Sequence, residues 1–349
     1  MARLPCAAAL LVCLCGCEYD VQPLKGTEGR TLVYAALGRQ GAPNAGFVLT
    51  SLGAVVIDPP LSPELGERLN LDVLRRSKVF WDEKHRASGA RARTLAPPVL
   101  YVLNTTYRAS HTFGNQAFLA SADILASGKA GRHMSDKLEV RRMRELLQNE
   151  FKVPGLENHA ATDPTLTVDG VATLHAPEVE IKLICMDDCV GEGDAVVYLP
   201  QERILFAGDL VLVGYVPYFQ GRTMTMRNWV AALKRLEEQM PGDVVVVPGH
   251  GPVGGKELLR QQREFLEALL AAVNACVSGG RSMEQAMAEV RLPNFARWQK
   301  YEQWLPENVR LVYQELKAPA GAKSASAAGA TGTVAAPEGI GEPDAYRTR

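Results

Sequence analysis

Charge of one sign is what this chain lacks first. Its 38 Lys and Arg stand against 39 Asp and Glu, a formal net charge of -1 over 349 residues. A surface with no overall field gathers neither nucleic acid nor acidic partners, so nucleic acid is excluded as a partner. No internal repeat is present, which leaves a chain long enough for one large core or two small ones. Long apolar runs are also missing. The run at the N-terminus, Ala7 to Leu14, is far shorter than the ~20 residues of a membrane span. Cysteine is scarce once the first seventeen residues are set aside, with only Cys185, Cys189 and Cys276 remaining. That odd number leaves at least one thiol free; Cys185 and Cys189 either close a disulfide turn or stay unpaired.

What is present begins with that N-terminus. Met1-Ala2-Arg3, the apolar run and then Leu14-Cys15-Gly16-Cys17 give a short charged segment, a hydrophobic segment and a small residue before a cysteine. The pattern resembles a bacterial lipoprotein signal. It implies a signal peptide over 1–16, lipidation at Cys17, and a membrane-anchored protein of the cell envelope at the periplasmic face of the outer membrane. A plain secretory signal cleaved nearby is the alternative.

From Arg30 the chain turns to strand character. Thr31–Leu37, Gly46–Thr50 and Ala54–Asp58 are short runs joined by tight turns, as in an antiparallel meander. Pro60–Leu74 has Leu65, Leu69, Val73 and Leu74 at helical spacing. Residues 75–96 are basic, with Phe80 and Trp81 enclosed; a solvated loop is the plain expectation and contact with anionic lipid headgroups the functional one. Pro97–Leu103 reads as a strand, Ala117–Ala126 as helical and Lys137–Phe151 as an amphipathic helix. Leu166–Val168 and Val179–Ile184 follow as strands, and Ala195–Pro200 pairs with Ile204–Ala207 as a hairpin. Helix Asn228–Gln239, strand Val244–Val247 and helices over 256–277, 282–290 and 298–316 complete the pattern. Residues 318–349, rich in Ala, Gly, Ser, Thr and Pro, have the composition of a disordered tail. The expected organisation is a tether over 17–29 and one α+β domain over 30–317, a two-sheet sandwich with outer helices.

Three of these strands end in a potential metal ligand. Ile204–Ala207 leads to Gly208-Asp209, Val244–Val247 to Pro248-Gly249-His250, and Tyr101–Leu103 to Asn104 and then Ser110-His111. A lone Gly-Asp after a strand is more often a cap than a ligand. Three such endings together point instead to a shared cation, since a carboxylate among apolar neighbours needs one or several donors. His85, His133, His159 and His175 lie away from these strand ends and read as ordinary residues.

Asn104-Thr105 with His111-Thr112-Phe113-Gly114-Asn115, then Gly208-Asp209, then Pro248-Gly249-His250-Gly251-Pro252, in this order and at these intervals, resemble the metallo-β-lactamase superfamily. The likeness runs from about Gly46 to Gly254. The helical end, Tyr301 to Arg310, resembles the hydrolase-like branch associated with quinoprotein systems. The resemblance implies an αβ/βα four-layer sandwich, two mixed sheets flanked by helices, with ligands on loops at one edge. It also implies two zinc ions that activate a hydroxide against an ester, thioester, lactone, amide or phosphodiester.

The family's ligand run His-x-His-x-Asp-His falls on Thr106 to His111, where Thr106, Arg108 and Ser110 replace the first three ligands and only His111 survives. A further family histidine falls on Val190. Valine cannot ligate and arginine cannot give up its proton, so the first metal site is lost. Asp209 and His250, the expected catalytic pair, join His111 as ligands for at most one divalent ion, zinc or iron. The competing expectation is no ion at all, with Arg108 paired to Asp209 in its place. Two functions follow: a hydrolase-like enzyme acting on a small-molecule substrate, or a non-catalytic tethered protein whose former cleft binds a ligand or partner.

Overall fold

The computed structural model describes residues 19–24, 32–86, 97–149, 153, 155–157, 159–186, 188–217 and 225–318. The signal peptide, Cys17, the basic stretch beyond Arg86 and the tail beyond 318 lie outside the described residues.

Strands β1 (Tyr19–Leu24), β2 (Val33–Gly38), β3 (Ala45–Leu49) and β4 (Ala54–Ile57) make the expected antiparallel meander. The chain then crosses over through α1 (Pro63–Arg86) to β5 (Val99–Leu103), which pairs with β4 in parallel. A short α2 (Ala109–Thr112) leads on to β6 (Asp123–Ser127), α3 (Gly128–Ser135), α4 (Lys137–Asn149) and β7 (Leu166–Val168). These strands form one sheet in sequence order, β1 to β7. The second sheet is built from β8 (Val171–His175), β9 (Glu180–Cys185), β10 (Ala195–Leu199), β11 (Ile204–Leu212) and β12 (Val245–His250), in the order β12-β11-β10-β9-β8. Helices α5 (Met226–Gln239), α6 (Glu257–Ser278), α7 (Met283–Glu289) and α8 (Tyr301–Lys317) cover its outer face.

Three apolar layers follow from the two-fold alternation of the strands. Val48, Ile57, Leu103, Ile181, Val197 and Phe206 fill the space between the sheets. Phe47, Val56 and Val102, their neighbours on the same strands, point the other way against Leu69 and Val73 of α1. On the second sheet Val196, Leu205 and Val246 face Trp229, Leu233, Phe265 and Leu269 of the helices. The arrangement is helices, sheet, sheet, helices, the four-layer sandwich expected.

Several elements differ from the sequence reading. Tyr19–Leu24, read as tether, is an edge strand of the domain, held by backbone pairing to β2. Helix α1 continues to Arg86, so residues 75–86 of the stretch read as a solvated loop are helical, because Ser77 and Trp81 extend its buried stripe. Ala117–Ala126 is not helical: a 3-10 turn ends at Phe118 and β6 begins at Asp123. Cys185, Cys189 and Cys276 are free thiols, so the disulfide turn is not formed.

Candidate metal centre

Two of the parallel pairs, β4 with β5 and β11 with β12, run toward the same edge of the sandwich, and their ends deliver the polar residues. Asp209 does not leave its strand there as the sequence reading has it. The strand continues to Leu212, with register shifts between Phe206 and Gly208 and again before Leu212. Gly208 takes φ 52°, and a Cβ there would fall 2.2 Å from Thr105 Oγ1. A Cβ on Gly249 would fall 2.8 Å from Asp209 Oδ1. Gly208 thus lets Thr105, just past β5 of the first sheet, approach β11, and Gly249 lets β12 close onto the carboxylate.

His111 reaches the same point from the first sheet. It is fully buried on α2. The loop leading to it is fixed by Asn104, whose Nδ2 donates to the His111 carbonyl at 2.9 Å and whose Oδ1 accepts from Asn115 Nδ2 at 2.8 Å. The His111 Nε2 lies 2.9 Å from Asp209 Oδ1, and the His250 Nε2 lies 3.4 Å from that same oxygen. The three residues offer ligand atoms that all lie within 4.8 Å of one another.

Arg108 approaches Asp209 from the other side. Its Nη1 stands 3.7 Å from Oδ2, and its Nη2 donates to the Val190 carbonyl at 3.0 Å. The guanidinium therefore lies against the backbone of Val190, the position the sequence reading aligned with a ligand histidine. Thr106 is buried and its hydroxyl accepts from the Arg108 amide at 3.4 Å. Ser110 is half-buried on the same helical turn as His111.

Two carboxylates that the sequence reading left out of the site complete it. Asp58, at φ 49°, accepts from the Thr105 amide at 2.8 Å and the Thr105 hydroxyl at 2.6 Å. Its Oδ2 is 3.6 Å from His111 Nδ1. Asp194 accepts from the Val190 and Gly191 amides at 2.7 and 2.9 Å, which shapes the loop beneath Arg108. The only signal for Asp58 in the sequence was its place at a strand end; the packing of Thr105 against it is long-range and has no local signature.

Electrostatics follow from burial and neighbours. Burial works against a charge on Asp209, yet His111, His250 and Arg108 together hold its carboxyl well below the usual range. Burial also works against a charge on His111, but Asp209 and Asp58 outweigh it and raise the imidazole. Burial pushes Asp58 up to about 6 and Asp194 up to about 7.

The donor set fits a divalent ion. His250 Nδ1 lies 2.8 Å from the Gly41 carbonyl, which can only accept, so Nδ1 carries the hydrogen and Nε2 is the nitrogen presented to Asp209. His111 Nδ1 is buried without a hydrogen-bond partner, so the ring's bond to Asp209 leaves its other nitrogen unsatisfied. Turning Nε2 to an ion and Nδ1–H toward Asp58 removes that deficit. The remaining described histidines are placed elsewhere: His133 stacks on Tyr107, His159 stacks on Phe113, and His175 is exposed.

No family model matches the chain. Among solved structures it is similar to a double mutant of the sec-alkylsulfatase PisA1, at 17% identity and TM-score 0.64, over 88% of this chain and 52% of that one. The stereoselective inverting sec-alkylsulfatase from Pseudomonas sp. aligns at 17% and TM-score 0.61, over 85% and 50%. A metallo-β-lactamase from Pontibacter korlensis aligns at 20% and TM-score 0.49, over 72% and 99%. The chain thus spans about half the length of the sulfatases. Identity this low speaks for architecture alone, and by its layers, strand order and the two sulfatase likenesses the chain has the αβ/βα sandwich fold of the metallo-β-lactamase type.

Proposed function

We propose that this protein is a hydrolase-like member of that fold which holds a single divalent ion on His111, Asp209 and His250, with Arg108 standing where a second ion would be. One observation carries the reading: the two oxygens of Asp209 face different partners, Oδ1 the two imidazoles and Oδ2 the guanidinium. A carboxylate placed to bridge two cations here bridges one ion position and one fixed cation.

When bound, the ion supplies a water acidic enough to act as hydroxide near neutral pH. The residues do the rest. Gly41 fixes the His250 ring, Asp58 orients His111, and Arg108 offsets charge on Asp209 while its side chain stays partly open to solvent. The substrate class is an ester, thioester or related bond of a small molecule, and the sulfatase likeness brings sulfate esters into that range. The quinoprotein-associated hydrolase-like branch is proposed on the sequence resemblance of Tyr301 to Arg310 alone, residues that form the first part of α8. Acylation at Cys17 would tether it in the cell envelope, at the periplasmic face of the outer membrane.

A second reading is favoured by the direct 2.9 Å contact of His111 with Asp209, which pairs these groups without an ion. In that case the protein is a non-catalytic tethered relative whose cleft binds a ligand or partner. Elemental analysis of protein purified without added metal separates the two. The first reading requires about one equivalent of ion, lost in His250→Ala. Metal-free protein whose melting temperature ignores both chelator and added zinc or iron sinks it.

A further inference from the structure

His250 sits in a turn whose main chain is gripped on both flanks by one side chain from the first sheet. Asn44 stands just before β3 and is buried, with 3% of it exposed. Its Nδ2 donates to the Pro248 carbonyl and to the Gly251 carbonyl, each at 2.8 Å. Its own amide donates to the Gly249 carbonyl at 2.7 Å. Three carbonyls around His250 thus converge on a single residue.

The acceptor end of the same side chain works on a second segment. Asn44 Oδ1 accepts from the Gly38 amide at 3.0 Å, which closes the loop running from Gly38 to Asn44. Within that loop Gly41 turns its carbonyl to His250 Nδ1 at 2.8 Å. Tyr215 bounds the loop from outside: a Cβ on Gly41, which has φ 82°, would fall 2.6 Å from the phenol ring. The loop therefore has no slack on that side. An amide is the side chain that offers two donors and an acceptor from one short planar group. Aspartate has the same outline but no donor when ionised, so it would set a carboxylate oxygen against two carbonyls that can only accept.

We propose that Asn44 is a positioning residue of the ion site: with one amide it fixes both the turn that carries the His250 ring and the loop that receives its Nδ1–H. A ring tied in this way keeps Nε2 aimed at the point it shares with Asp209 Oδ1. The effect of Asn44 on ion affinity rests on the proposed function; its effect on the ring does not.

The test compares Asn44→Asp and Asn44→Ser with Thr50→Val in the full chain. Thr50 is a buried hydrogen-bond hub at the other end of β3, where its hydroxyl donates to the Gly53 carbonyl at 2.6 Å and accepts from the Leu52 and Gly53 amides. Losing that hub destabilises the sheet without touching residues 248–251. Zinc affinity is measured by isothermal titration, and the solvent exchange of the His250 Nδ1–H by magnetic resonance of metal-free protein carrying isotope-labelled histidine. Expected is zinc binding about 10–100-fold weaker in both Asn44 variants, with a rapidly exchanging Nδ1–H. Thr50→Val should match the parent in both readouts. Asn44→Ser keeps one hydroxyl donor and leaves room for a water, so it carries the test where the aspartate variant does not fold. An Nδ1–H as protected in a folded Asn44 variant as in the parent overturns the proposal. So does unchanged zinc affinity in that variant, or equal weakening in Thr50→Val. A parent that takes up no zinc ends the ion reading instead, and the exchange of the ring proton then decides alone whether Asn44 positions His250.

Discussion

Asp209 gives one carboxylate oxygen to each side of the site, and the two accounts of the site respond oppositely to pH. Without an ion, His111 is held charged beside Asp209, its imidazole raised above the ordinary value. That pairing stabilises fully below the unfolded value of about 6.5 and is lost as pH rises through the higher folded one. Asp209, held low, contributes above about 4 and loses its contribution only as pH falls through its folded value. Asp58 and Asp194, raised by burial to about 6 and about 7, destabilise progressively as pH climbs from about 4 to those values, so Asp58 has its effect mostly below about pH 6 and only Asp194 adds to the loss above it. Metal-free protein should therefore melt at lower temperature at about pH 8 than at about pH 6. Metal affinity should rise over the same interval, since the histidines must be neutral to ligate. Calorimetry with and without chelator checks both slopes; a metal-free melting temperature that climbs with pH contradicts the pairing. Arg108→Ala should cost about 1–3 kcal/mol, less than a fully buried ion pair because Nη1 stands off at 3.7 Å and 15% of the side chain is exposed. A urea midpoint unchanged in that variant would remove Arg108 from the account. Of these residues, His111, Asp209, His250 and Arg108 could be singled out because their types are chemically restrictive and fall on positions of a recurring motif pattern, although Asp209 lies inside β11 and His111 on α2. Gly41 was not, since a carbonyl's role depends on its position in space and any residue carries one.

The elements that place these residues show where local pattern suffices and where it fails. Helices α5 and α6 followed from apolar spacing almost to their ends, because each lays one continuous stripe on the second sheet. The run around Asp209 was cut short in the sequence reading, since Gly208 looks like a stop while the structure uses it as a bulge. Helix α5 pins that bulge: the indole of the fully buried Trp229 donates to the Leu210 carbonyl at 3.0 Å. Trp229→Phe should lower stability by about 1–3 kcal/mol through the unpaired carbonyl and the lost ring volume. It should also loosen metal binding, which isothermal titration would report. Gly249→Ala should be more damaging to the site than to the fold, because the added methyl meets Asp209 Oδ1 and the Gly208 backbone. A variant that keeps its helical circular dichroism but loses the ion is the expected result; unaltered metal affinity would mean that β12 can retreat at little cost. The 117–126 stretch misled because Ala117, Phe118, Ala120 and Ala122 suit a helix by composition, whereas Asn104 and Asn115 clamp its start into a loop.

At the scale of the whole molecule, the layered sandwich was readable from meander, crossover and hairpin, since each strand's alternation declares which side must be covered. What no local pattern declares is which loops converge once the layers stack. His111 hangs from the first sheet, whereas Asp209 and His250 hang from adjacent strands of the second. An ion seated among them is a rivet through two plates. Its removal should lower the melting temperature and speed amide exchange at the β5–α2 and β11–β12 seams together, leaving the outer helices exchanging at their former rate. A chain exported unfolded and loaded with its cation afterwards would thus have its halves fastened last, at the rim where they meet.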